Sequence, residues 1–128
     1  MIAVIRLLLP AQEQAGAPER FRTALAALTA QSGCVSATAA RSIDDPAVWV
    51  LSMRWQSVGA YRRALSAYDV KMNAVPLLHH AMDEPSAFEE LLTWTPQDGW
   101  AERASDRSGP EPRRASLDLP GPPSPGPS

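Results

Sequence analysis

Residues 47–57, AVWVLSMRWQS, narrow the choice of folds more sharply than any other stretch of the chain. With the two-residue period of a strand, Val48, Val50 and Ser52 fall on one side, and Trp49, Leu51, Met53 and Trp55 on the other. A strand apolar on both faces needs cover on both. Ser57, a favoured helix N-cap residue, follows almost at once, so this strand passes into a helix through a very short connection.

The neighbouring segments complete the pattern. Residues 2–9 form an apolar run rich in β-branched side chains and stopped by Pro10, the mark of a first strand. Pro18 suits the first turn of a helix in which Phe21, Leu25 and Leu28 share a face with Ala24 and Ala27, and Gly33 supplies its stop. Residues 35–43 read as a second strand, which the Asp44-Asp45-Pro46 turn joins to the opening stretch in a hairpin. Beyond Ser57, Val58, Tyr61 and Leu65 keep helical spacing. Asp69 is placed to cap a second helical piece and Pro76 to kink or restart it. Alternation across residues 87–94 predicts a fourth strand. Strand, helix, strand, strand, helix, strand is the order of an α+β ferredoxin-like sandwich, a four-stranded antiparallel sheet with both helices on one face. Its other face would lie bare, yet the strands are apolar there too, which predicts a homodimer formed by packing two such sheets.

Composition sets the limits of the folded unit. Residues 1–95 are the expected domain, and residues 96–128 a Pro/Ser/Gly-rich tail with too little apolar surface to order itself. Residues 1–95 carry eight Lys and Arg against nine Asp and Glu, and the remainder four against five, so no basic surface for nucleic acid is expected. No stretch approaches the roughly 20 apolar residues of a membrane span, and the single cysteine, Cys34, excludes an intrachain disulfide framework. These features fit a cytoplasmic protein.

Several motifs then converge on one family. Gly33-Cys34-Val35 enters the second strand, Asp44-Asp45-Pro46 precedes Ala47-Val48-Trp49-Val50, Arg54-Trp55-Gln56-Ser57 joins strand to helix ahead of Tyr61, and Pro76-Leu77-Leu78 precedes the last strand. In this order and spacing, residues 1–95 resemble the antibiotic biosynthesis monooxygenase family of dimeric α+β barrels. The resemblance implies a homodimer with a pocket between sheet and helices in each protomer. It also implies, in the enzymatic members, oxygenation of a small aromatic or polyketide-like substrate without metal, flavin or other cofactor. A deprotonated hydroquinone or anthrone can itself reduce dioxygen, so such a protein supplies only a base, oriented hydrogen bonds and a dry pocket.

The candidate substrate-binding residues are Trp55 and Tyr61, with Tyr68 and Asn73 bordering them. His79 and His80 are the candidate bases, and since adjacent helical residues point about 100° apart, one at most faces a given pocket. Each histidine has an acid four residues on, Asp83 or Glu84, but two ligands beside a turn do not make a metal site. The antibiotic-tailoring members place an asparagine four residues before the strand tryptophan, where this chain has Leu51. The haem-degrading relatives require an asparagine in the first strand and a Trp and His ten residues apart in the second helix, and neither is present. The alternatives are a non-catalytic dimeric ligand-binding or stress-related module of the same fold and an RNA-binding domain, the latter disfavoured by charge and by a first strand without aromatics.

Overall fold

A computed structural model describes residues 1–104. Its elements are β1 (Ile2–Leu8), a single 3-10 turn (Ala11–Glu13), α1 (Ala17–Thr29), β2 (Cys34–Arg41), β3 (Val48–Trp55), α2 (Val58–Ser66), α3 (Tyr68–Asn73), α4 (Val75–Leu78), β4 (Ala87–Phe88), β5 (Leu92–Thr95) and β6 (Gly99–Glu102). The chain divides into two compact units, Met1–Glu90 and a second beginning at Leu91.

The first unit is the expected α+β sandwich. Its antiparallel sheet has the order β2-β3-β1-β4, with β3 central and paired to β1 from Ile2↔Arg54 through to Leu8↔Val48. The assignment of the β3 side chains to two faces holds. Trp49, Leu51, Met53 and Trp55 are buried together with Ala3, Ile5 and Leu7 of β1, and they join Phe21, Ala24, Ala27 and Leu28 of α1 in one core. Thirteen residues make a marginal helix in isolation, so α1 depends on this packing, in which each large apolar side chain contributes about 1.5–3 kcal/mol.

The opposite sheet face carries Ile2, Val4, Leu8, Val48 and Val50 together with Ser36, Thr38 and Ser52. Those β1 and β3 side chains are half-buried, except Leu8, which is 53% exposed. Two ion pairs stand beside them, Arg6 with Glu84 at 2.6 Å and Arg54 with Glu90 at 3.0 Å.

The helical connection follows the sequence up to Ser57, whose hydroxyl accepts from the Ala60 amide at 3.0 Å and caps α2. Beyond it the expected two pieces are three, and Pro76 sits in the first turn of the last, where its missing amide costs nothing. Asp69 does not cap. It accepts from Asn73 Nδ2 at 2.5 Å instead, one turn along α3.

The fourth strand departs from expectation. Only Ala87 and Phe88 pair with β1, and a separate bridge joins Leu7 to Ala81, with Pro85 between them unable to donate to the ladder. Leu92–Thr95 belongs to the second unit, where β5 and β6 form a hairpin with Trp94 opposite Trp100. The Thr95 hydroxyl accepts from the Asp98 amide, and Gly99 takes a positive φ of 67° that glycine adopts without strain. Ordered pairing therefore runs past residue 95, and the rest of the expected Pro-rich tail, residues 105–128, lies outside the described residues.

Candidate functional site

Trp55 and Tyr61 are brought together by the β3–α2 junction. The strand ends on Trp55, Ser57 starts the helix, and the first turn of α2 carries Tyr61 back over the sheet, leaving the rings 5.7 Å apart and tilted by 50°. Both side chains are buried. Burial pushes the Tyr61 phenol above its ordinary value, so at neutral pH it is a hydrogen-bond donor and not a base. The Trp55 indole N–H is fully buried and meets no acceptor among the described residues. An unpaired buried donor costs about 1–3 kcal/mol, and a ligand oxygen placed against it would recover that cost. Leu51, on the same strand face two pleats earlier, is fully buried in the core and offers no hydrogen bond.

The other expected residues lie elsewhere. Tyr68 opens α3 and is 78% exposed, and Asn73 borders a groove of about 280 Å³ between α1 and the α3–α4 segment, lined also by Arg20, Thr23, Pro76 and Leu77. His79 is exposed. His80 is half-buried, and its Nε2 lies 2.9 Å from Glu13 Oε1, on the 3-10 turn. The same carboxylate oxygen pairs with Arg20 of α1, and these two partners, Arg20 first, hold the Glu13 carboxyl below its usual range. The His80 carbonyl also accepts from the Leu8 amide, so the residue is anchored by backbone and ring at once. These contacts hold the imidazole at the Leu8 end of β1, the end opposite Trp55 and Tyr61, so the structure does not bring His80 together with them.

Glu13 was not legible as a functional residue. It lies 67 positions from His80, and only the folded turn before α1 brings them together. Of the acids spaced for metal pairing with the histidines, Glu84 binds Arg6 instead. Among the described residues no three His, Cys, Asp or Glu side chains converge on a common point. Burial pushes the Cys34 thiol up, away from the reactive thiolate form. No helix among the described residues is long and apolar enough to cross a membrane.

The fold recurs in solved structures. SnoaB from Streptomyces nogalater, described as a cofactor-independent oxygenase, superposes with a TM-score of 0.58 at 21% identity, over 86% of this chain and 96% of its own. A conserved protein of Methanosarcina mazei Go1 gives 0.56 at 13% identity over 67% of this chain and 84% of its own. A conserved protein of unknown function from Bacteroides thetaiotaomicron gives 0.56 at 12% over 63% and 86%. At these identities the likeness is one of fold. No curated protein sequence matches the chain. A sequence profile of the antibiotic biosynthesis monooxygenase family, however, matches residues 1–71, more than half of the 128. The chain belongs to the antibiotic biosynthesis monooxygenase family.

Proposed function

We propose that this protein is a cofactor-independent monooxygenase of small, electron-rich aromatic substrates of the anthrone or hydroquinone type, bound against Trp55 and Tyr61. The observation that carries the reading is the buried Trp55 N–H without an acceptor, beside a phenol that burial keeps protonated. Two donors in a dry core stabilise an oxyanion, and an anthrone develops one on its carbonyl oxygen when its methylene loses a proton. The resulting enolate passes one electron to dioxygen, and the two radicals combine at carbon as a hydroperoxide. Loss of water then leaves the new carbonyl, so that one methylene and one dioxygen become one carbonyl and one water. The proton passes to water, because His80, tied to Glu13 and to Leu8 at the far end of β1, lies about six strand residues, roughly 20 Å, from Trp55.

A second reading, a binding module without turnover, is favoured by Leu51, which stands buried and apolar on the site's own strand. An oxygen electrode separates the two. The oxygenase reading expects anthrone-dependent uptake at least about tenfold above the spontaneous rate, well within the gain one preorganised oxyanion donor supplies. Saturable quenching of tryptophan fluorescence with uptake no faster than in buffer would sink it and leave the binding module.

The open face of the sheet supports a homodimer. Its half-buried apolar row, Ile2, Val4, Val48 and Val50, runs across two central strands, and a second copy of the same face covers it with like surface. Light scattering at micromolar concentration is expected to give twice the 13.8 kDa chain mass, and Val50→Glu, a charge on the middle of that row, half of it. A wild-type monomer mass would overturn the pairing.

A further inference from the structure

An apolar recess lies at the end of β3 away from Trp55. Six residues at about 3.3 Å each separate Trp49 from Trp55 along the strand, roughly 20 Å, so the two tryptophans serve different places. Around Trp49 a groove of about 500 Å³ opens between α1 and the edge strand β2, floored by Phe21, Leu25, Ala26, Ala39 and Trp49. Phe21 stacks on Trp49 with ring centroids 4.3 Å apart and planes within 13°, which makes a stiff aromatic wall. Ala26 and Ala39 are what leave the space open, since a larger residue at either would fill it. Cationic groups stand at its margin. Arg22 lines it, and the Arg41 guanidinium lies 5.7 Å from the Trp49 ring centroid. No acidic side chain lines the groove, and the carboxylate paired with Arg22 is that of Glu19 at 3.6 Å, with both side chains 78% exposed, a pair worth little in water.

We propose that this groove is a separate binding site for a flat aromatic carboxylate, the rings against Leu25, Ala39 and the Phe21–Trp49 wall and the carboxylate between Arg22 and Arg41. The volume suits a fused bicyclic body, and guanidinium–carboxylate hydrogen bonds at the rim give the orientation. The assignment goes beyond the oxygenase reading and does not depend on it.

Calorimetric titration of the full chain with 2-naphthoate tests it. The expected result is saturable binding of one ligand per chain, weakened at least tenfold by Ala26→Phe, which fills the groove from an exposed helix position, and by the exposed double variant Arg22→Gln/Arg41→Gln. The uncharged isostere 2-naphthylmethanol binds at least tenfold more weakly, and Trp55→Phe leaves naphthoate binding unchanged. No saturable heat up to about 1 mM ligand, affinity weaker than about −4 kcal/mol, overturns the site. So does equal affinity for the alcohol, or binding that disappears as protein concentration rises, which would mean a second copy fills the groove.

Discussion

Trp55→Phe lowers the rate of anthrone-dependent oxygen uptake about 100-fold, the scale expected when one preorganised donor to a developing oxyanion is removed. Its effect on stability is expected to be small. The substitution leaves an aromatic ring beside Tyr61 and loses some packing volume, but it also removes a buried N–H that has no acceptor, a relief of about 1–3 kcal/mol. Rate and stability therefore separate. A thermal midpoint that drops by many degrees while the rate per folded molecule stays unchanged would show that Trp55 is only a packing element. Tyr61→Phe is the companion variant, since it removes the second donor and keeps the ring.

Gly33→Ala destabilises the fold by about 2–5 kcal/mol, the sum of two separable costs. Gly33 has a φ of 94°, where an L side chain is strained by about 1–3 kcal/mol. A methyl there would also stand 2.6 Å from the Ala60 side chain in the first turn of α2, closer than two carbons can pack. The residue matters to the site because its carbonyl accepts from the Gln56 amide at 2.8 Å, between Trp55 and the cap Ser57. A double-mutant cycle divides the two costs. Ala60→Gly carries about 1 kcal/mol of its own helix penalty, yet in that background Gly33→Ala costs about 1–2 kcal/mol less, because the contact is gone and only the backbone strain remains. Equal costs in both backgrounds, measured by denaturant unfolding, would contradict the close approach.

What the sequence made legible depended on local signals. The alternation in residues 47–57 gave both faces of β3, Ser57 gave the start of α2, and Pro76 gave a helix restart, because each acts through its own backbone or immediate neighbours. The end of the sheet was misread for a physical reason. Period-two alternation from Phe88 to Trp94 is the same whether one edge strand continues or one strand stops and a hairpin begins. The deciding signal was the Asp98-Gly99 pair beyond it, a turn dipeptide flanked by Trp94 and Trp100. Asp69 carried a valid capping signal, but α3 starts at Tyr68 with Ala67 as its N-cap, so Asp69 lies inside the first turn and pairs with Asn73 instead.

The site was legible in halves. Trp55 and Tyr61 lie six positions apart across a strand-to-helix junction, so local geometry alone brings their rings together. Tyr68 was expected to border the same site, but the break at Ala67, whose ψ of 142° is extended, restarts the helix and leaves Tyr68 78% exposed. The Glu13–His80 pairing and the Phe21–Trp49 wall join distant segments, and no spacing rule reaches across such separations.

The central claim is that the protein accelerates insertion of one atom of dioxygen into an aromatic substrate without a cofactor. Its most direct test is mass spectrometry of the product formed from an anthrone under ¹⁸O-labelled dioxygen by metal-stripped protein, with the Trp55→Phe variant and protein-free buffer run beside it. The predicted result is one ¹⁸O atom in the new carbonyl, accumulating in proportion to wild-type protein and about 100-fold more slowly with the variant. Labelled product that forms at the buffer rate with either protein would contradict it.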